Sequence, residues 1–137
     1  MARERLDTRT LSPLPPATKR GGRWAPRAWP AELLADVADR LAQRLVQLRA
    51  ARPGLFQPGE GRAELAGDVG CELAVALALD PDVVDPIAVA YEVLITSARE
   101  GASVLAERLV QAVVEADSAK RTRAAFARSL ITVGGPQ

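Results

Sequence analysis

Histidine is absent from this sequence of 137 residues, and cysteine occurs once, as Cys71. Without an imidazole, Ser–His and Cys–His nucleophiles, a histidine general base and the commonest protein metal ligand are all excluded. A single cysteine cannot close an intramolecular disulfide, which is typical of a reducing compartment, and it cannot build a zinc site. We therefore expect a cytoplasmic protein that is not an enzyme and needs neither a cofactor nor a metal.

Aromatic residues and long apolar runs are also scarce. Aromatic residues make up 4% of the chain and apolar residues 48%, so the core must be built from Ala, Leu and Val, which favours closely packed helices. The densest apolar run, LAVALAL at residues 73–79, is far too short to span a bilayer, and the arginines near the N-terminus are not followed by the apolar stretch of a signal peptide. The sequence therefore predicts an all-α, unsecreted protein that does not bind membranes.

Proline divides the chain into two parts. Residues 1–30 hold five of the ten prolines and show no sustained hydrophobic periodicity, which predicts an extended basic arm over residues 1–29. The periodic sequence that follows predicts a compact four- to five-helix bundle over residues 30–133, with a short tail over residues 134–137.

Capping and breaking residues set the expected helix boundaries. The first helix should begin at Pro30 or Ala31 and end near Arg52, because Pro53 and Gly54 follow. The later helices are expected at 62–80, 86–99, 102–116 and 119–133, with Asp85 and Ser118 as N-caps of the third and the last. The expected core residues are Leu34, Val37, Leu41, Leu45, Leu48, Leu65, Val69, Leu73, Leu77, Ile87, Val89, Ala90, Val93, Leu94, Val104, Leu105, Leu109 and Val113.

The second helix carries a stripe of small residues beside its leucines. Gly67 and Gly70 lie inside this helix, where each glycine costs about 1 kcal/mol against alanine. We expect the close approach of a second helix to offset this cost.

Two other interpretations of the middle of the chain compete with plain helix packing. The spacing of Ala66, Gly70 and the apolar residues after them mimics a helix-turn-helix, but the outward side chains would be largely apolar and unsuited to base edges. Asp80, Asp82 and Asp85 are close enough in sequence to collect a hard cation, but Asp80 and Asp85 each precede a proline, as helix caps do. We favour a buried helix and helix caps over both alternatives.

Charge is segregated along the chain, although the net charge is only +1. Residues 1–30 carry +5, residues 31–59 carry +1, residues 60–118 carry −9, and residues 119–137 carry +4. This asymmetry suggests a polyanion bound at one surface, or an acidic face docked onto a basic partner.

The stretch KRGGRWAPRAWP, residues 19–30, combines four cations with both tryptophans of the chain. Guanidinium groups pair with phosphates and indoles stack on unpaired bases, so this pattern suits single-stranded nucleic acid. The alternative is that Trp24 and Trp29 fold back and clasp the bundle while the arginines are solvated.

Basic residues in the first and last helices extend the candidate nucleic-acid surface, because neighbouring helices would align them into one positive groove. The alternative is a surface of internal salt bridges, such as Asp36 with Arg40. The candidate nucleic-acid-binding residues are Lys19, Arg20, Arg23, Trp24, Arg27, Trp29, Arg40, Arg44, Arg49, Arg52, Lys120, Arg121, Arg123 and Arg128.

The basic arm, acidic middle and small helical body resemble, in organisation, the small all-helical subunit of CRISPR effector complexes. The resemblance implies a non-catalytic structural subunit of a multi-subunit ribonucleoprotein that contacts RNA or single-stranded DNA nonspecifically and binds other protein subunits, and whose copies stack along the complex. The alternative is a protein-only helical oligomerisation or adaptor module, such as a phage structural component. Self-association is possible in either case.

Overall fold

The computed structural model describes residues 28–134, with side chains through residue 128, and this part of the chain is all-α. Its elements are α1 (Ala31–Ala51), a 3₁₀ turn (Pro53–Phe56), α2 (Glu60–Ala76), α3 (Pro86–Ser97) and α4 (Ala102–Gly134). The predicted helical bundle is confirmed. The predicted arm up to residue 27 and the end of the predicted tail lie outside the described residues. Within residues 28–134, no helix combines the length and the apolar character needed to cross a membrane.

The expected boundaries of α1 and α3 are confirmed, and both follow from proline. Helix α1 ends at Ala51, and Pro53, two residues later, prevents the helix from continuing. Pro86 occupies the first position of α3, and the Asp85 carboxylate accepts hydrogen bonds from the backbone N–H groups of Ile87 and Ala88, at 3.1 and 3.2 Å.

The core is formed by the predicted leucine and valine stripes of all four helices. Sixteen of the eighteen expected residues are buried or packed against the core, including Leu41, Leu45, Leu65, Leu73 and Leu109, which are fully buried. The expectation was wrong for Ile87 and Val104, which are 42% and 43% exposed. Both belong to helices with apolar residues on more than one face, so periodicity alone did not identify the buried face.

The predicted break near residue 117 does not exist, because α4 runs unbroken from Ala102 to Gly134. Ser118 lies inside this helix and does not cap a new one. No glycine or proline occurs between these ends, and an interior serine costs only a few tenths of a kcal/mol. An ion pair between Asp117 and Arg121, 2.8 Å long and one turn apart, also bridges the predicted break.

The second helix ends four residues earlier than expected, at Ala76. Ala78 adopts a left-handed conformation with φ of 50°. The N–H of Leu79 donates to the Ala74 carbonyl at 3.0 Å, and the N–H of Ala78 donates to the Val75 carbonyl at 3.3 Å. These two bonds form a Schellman motif, the helix ending that normally uses glycine at this position.

Close helix packing explains one of the two glycines in the small-residue stripe of α2. At Gly70, a Cβ atom would lie 2.7 Å from the Ile87 Cα, so α3 packs directly on the α2 backbone. At Gly67, a Cβ atom would meet nothing within 4 Å. The predicted close approach is therefore confirmed for Gly70 and wrong for Gly67.

Helices α1 and α4 run antiparallel. The guanidinium of Arg49, in the last turn of α1, donates to the carbonyls of Ala98 and Glu100, just before α4 begins. With 33 residues, α4 is about 50 Å long, whereas the 21 residues of α1 span about 32 Å. The far end of α4 therefore continues past the start of α1.

Candidate functional site

Of the stretch KRGGRWAPRAWP, the structure describes Ala28, Trp29 and Pro30, and Trp29 is the only candidate binding residue among these three. Its side chain is 8% exposed and belongs to the hydrophobic core. Its indole N–H donates to the Leu77 carbonyl at 3.2 Å. This position matches the clasp alternative, and it leaves the indole face no room to stack on a base. Lys19, Arg20, Arg23, Trp24 and Arg27 lie outside the described residues.

Three of the candidate arginines near α1 form ion pairs with acidic side chains of the bundle. Arg40 pairs with Asp36 on the same helix at 3.2 Å. Arg52, the residue after α1, pairs with Glu64 of α2 at 2.8 Å. These pairs form the salt-bridged surface that is the alternative to a positive groove.

Arg44 makes the most extensive of these pairings. Its Nε and one terminal nitrogen donate to the two carboxylate oxygens of Asp68 at 3.1 and 2.7 Å, and Nε lies 3.6 Å from a Glu72 oxygen. The hydrogen bond to Asp68, followed by its negative charge, raises the pKa of the Arg44 guanidinium. Its charge is thus matched within the bundle, on the side where α1 faces α2.

Arg49 binds the loop between α3 and α4 through hydrogen bonds. Besides its bonds of 2.7 and 2.8 Å to the carbonyls of Ala98 and Glu100, its guanidinium lies 4.8 Å from the centre of the Phe56 ring. One terminal nitrogen of Arg49 therefore donates to two backbone oxygens, and one face of its guanidinium is covered by an aromatic ring.

The candidate cations of α4 differ sharply from one another in exposure. Arg121 is 2% exposed and pairs with the buried Asp117, so its guanidinium faces the interior. Lys120 is half-buried, whereas Arg123 and Arg128 are exposed. No side chain from residue 122 to residue 128 is buried, and Phe126 is 65% exposed. We call residues 122–134 the α4 extension.

The single positive groove that we predicted from α1 and α4 does not form. The two helices are neighbours, as it requires, but their antiparallel order places Arg49 beside Glu100. Arg121 lies 21 positions after Glu100 in the chain, a distance of about 30 Å along α4. The basic ends of the two helices therefore point to opposite ends of the bundle.

An apolar groove lies between α2 and the start of α3, in the acidic part of the chain. Its volume is about 460 Å³. Its lining residues are Gly70, Cys71, Ala74, Leu79, Pro81, Val84, Asp85, Pro86 and Ile87. Cys71 is exposed. The close packing of α3 on Gly70 shapes the floor of this surface, which we call the α2–α3 groove.

Exposed apolar side chains continue from the α2–α3 groove along α3. Ile87, Tyr91 and Ile95 recur every four residues and are 42%, 39% and 48% exposed. This spacing places them on one face of the helix, which we call the α3 stripe. Three large apolar side chains on one helix face, beside an apolar groove, form a larger apolar surface than scattered exposed residues would. Val75 of α2 is 83% exposed, but it lies beside Val37 on the side that faces α1.

The charge around the α2–α3 groove is negative. Asp85 lines the groove, and Asp80 and Asp82 lie in the same short loop. None of the nine lining residues is cationic. In residues 28–134, no three cysteine or acidic side chains are grouped closely enough to hold a metal ion, so the aspartate trio does not form the cation site that we considered.

A second groove, of about 550 Å³, lies between α3 and α4. Its lining mixes apolar and charged side chains of both signs, including Val93, Val104, Glu107 and Arg108. It is larger than the α2–α3 groove, but it has neither a continuous apolar wall nor a single sign of charge. We therefore take the α2–α3 groove with the α3 stripe as the candidate functional site.

The comparisons with known proteins leave the chain without a family assignment. No family model matches the chain, and no curated protein or solved structure is similar to it. The likeness to the small subunit of CRISPR effector complexes therefore stays a prediction.

Sequence analysis missed this surface, although one signal for it was present. The four-residue spacing of Ile87, Tyr91 and Ile95 predicts an apolar stripe, but we assigned Ile87 to the core with Ala90 and Leu94. Because α3 is apolar on both of these faces, only its packing against α2 and α4 shows which face stays exposed.

Proposed function

We propose that this protein is a non-catalytic helical module that works by docking onto other protein subunits through the α2–α3 groove and the α3 stripe. The observation that carries the proposal is the exposure of Ile87, Tyr91 and Ile95 along one face of α3, beside an apolar groove. Burial of such side chains is the main favourable term in protein association.

The charge arrangement supports a protein partner over a nucleic acid at this surface. Asp85 lines the groove and none of the lining residues is cationic, so a phosphate would find no ion-pair partner there. The arginines of α1, which would have attracted phosphates, are matched by acids or carbonyls of the bundle. A basic or apolar protein surface fits the groove better than a polyanion does.

The test is the size of the native complex in extracts of cells that express the protein, measured by gel filtration after nuclease treatment. Cys71→Arg fills the groove with a bulky cation, and Cys71 is exposed, so the fold should tolerate it. The matched control is Val46→Arg, because Val46 is 56% exposed on α1 and does not line the groove. We expect the wild type and the control to elute in a nuclease-resistant complex and Cys71→Arg to elute as a free chain. Loss of the wild-type complex on nuclease treatment would contradict the proposal.

A second candidate function is nonspecific contact with RNA or single-stranded DNA in a ribonucleoprotein, which the α4 extension favours. Arg123 and Arg128 are exposed there beside Phe126, so phosphate pairing and base stacking are both available. The test is fluorescence anisotropy of a labelled single-stranded RNA at rising salt. Binding should weaken log-linearly with salt and fall in an Arg123→Ala, Arg128→Ala variant, while Arg40→Ala, Arg44→Ala should bind as the wild type does. Equal losses in both variants would contradict a site on the extension.

A further inference from the structure

We infer that the occupant of the α2–α3 groove is the α4 extension of a second copy of this chain, so that copies join head to tail. The inference rests on the proposed function, because it names the partner for the same surface. One chain carries both complementary halves: an acidic apolar groove on α2 and α3, and a basic apolar helix at the end of α4.

The α4 extension has the features of a ligand for such a groove. Phe126 presents a large apolar side chain that is 65% exposed, and aromatic side chains are favoured anchors at protein interfaces. Arg123 and Arg128 lie within about one turn of it on the same helix. An amphipathic helix that lays its apolar residues in a groove is a common mode of peptide recognition.

The groove offers the matching chemistry. Its walls are largely apolar, with Ala74, Leu79, Val84 and Ile87 among the lining residues. Asp85 lines it and none of the lining residues is cationic, so its charge is opposite to that of Arg123 and Arg128 on the α4 extension. Opposite charges flanking an apolar contact fix the orientation of the docked helix and speed the encounter.

A second copy is needed because the extension cannot fold back onto its own groove. Helix α4 is unbroken from Ala102 to Gly134 and contains no proline, and its only glycine is its last residue. No described residue of α4 lines the groove of its own chain. The groove and the extension are different surfaces, so the contact is heterologous. A copy that uses one of the two surfaces can still bind a further copy through the other.

The test uses sedimentation velocity of the purified full chain over a range of concentrations. Phe126→Asp removes the anchor and adds a repelling charge, whereas Cys71→Arg blocks the groove. Both side chains are exposed, so the fold should tolerate the two substitutions. We expect the wild type and the Val46→Arg control to self-associate with the same affinity. Each of the two variants should associate at least about tenfold more weakly.

Mixing the two variants tests the head-to-tail geometry itself. The Phe126→Asp chain keeps an intact groove and the Cys71→Arg chain keeps an intact extension, so the mixture should form dimers and stop at two copies. A mixture that stays monomeric, or either variant associating as the wild type does, would overturn the inference.

A wild-type chain that stays monomeric at all concentrations would also overturn it, including the case in which the extension binds single-stranded RNA in the anisotropy assay. If that purified monomer nevertheless enters a nuclease-resistant, groove-dependent complex in extracts, the docking function stands and only the identity of the partner is wrong. If no such complex forms either, both the inference and the proposed function fail.

Discussion

The α1 side of the bundle and the α2–α3 side are both rich in charge, but they use it in different ways. On the α1 side, Arg44 and Arg52 reach across to Asp68 and Glu64, so cations and acids satisfy each other within the chain. On the α2–α3 side, Ile87 and Tyr91 are exposed beside Asp85, and no cation lines the groove. The difference teaches that the surface left for a partner is the one whose apolar area the fold leaves exposed.

On the α2–α3 side, the largest loss of stability is expected from disrupting the contact between Gly70 and α3. In Gly70→Ala, the new Cβ would lie 2.7 Å from the Ile87 Cα and 2.8 Å from its backbone nitrogen, so α3 must move away from α2. We expect the free energy of unfolding to fall by about 3 kcal/mol, as in overpacked cores. Urea denaturation followed by circular dichroism measures it, and an unchanged midpoint would mean that α3 does not pack on this glycine.

On the α1 side, the contacts to disrupt for comparison are the ion pairs of Arg44. Arg44→Ala should lower the free energy of unfolding by only about 1 kcal/mol, because Arg44 is 45% exposed and solvent screens the pairs. A double-mutant cycle with Asp68→Ala isolates the contribution of the pair. A coupling energy of zero would show that these side chains do not match each other's charge in solution.

Gly67 sharpens the comparison with Gly70 on the same helix. Its substitution by alanine meets no atom within 4 Å, so Gly67→Ala should raise the free energy of unfolding by about 0.8 kcal/mol through helix propensity alone. The same denaturation experiment checks it. If Gly67→Ala and Gly70→Ala were equally destabilising, the close approach of α3 at Gly70 would not be the cause.

The smallest effect is expected where α2 ends. Ala78 has φ of 50°, a conformation that glycine adopts without steric cost. Ala78→Gly should raise the free energy of unfolding by about 0.5 kcal/mol, since the strain it relieves exceeds the added freedom of the unfolded chain. Thermal unfolding measures the change, and a lower melting temperature would contradict the assignment of this helix ending.

The sequence predicts the helical part of the fold well wherever a local rule is strong. Asp85 and Pro86 mark the start of α3, and the leucine stripes of α1 and α2 predict their buried faces. The prediction fails where tertiary packing decides. Ala78 ends α2 without the glycine that would signal it, and Ser118 resembles a cap although the helix continues around it.

The candidate site was harder to predict, because its features depend on neighbours in space. The sequence does not show that Arg44 meets Asp68, which is 24 residues away, or that Trp29 donates to Leu77 across 48 residues. The density of cations therefore led to the prediction of a nucleic-acid surface on α1 and on residues 19–30. The apolar α3 stripe is visible in the sequence, but its exposure follows only from the way α3 packs between α2 and α4.

The accessibility of the Cys71 thiol tests the account most directly, because Cys71 is the only cysteine of the chain and lines the α2–α3 groove. Its alkylation rate can be measured by mass spectrometry in dilute and in concentrated solutions of the purified full chain. The account predicts that the rate per thiol falls at least about tenfold in the concentrated wild type and does not change in Phe126→Asp. An alkylation rate that is independent of concentration in the wild type would contradict docking of the α4 extension in this groove.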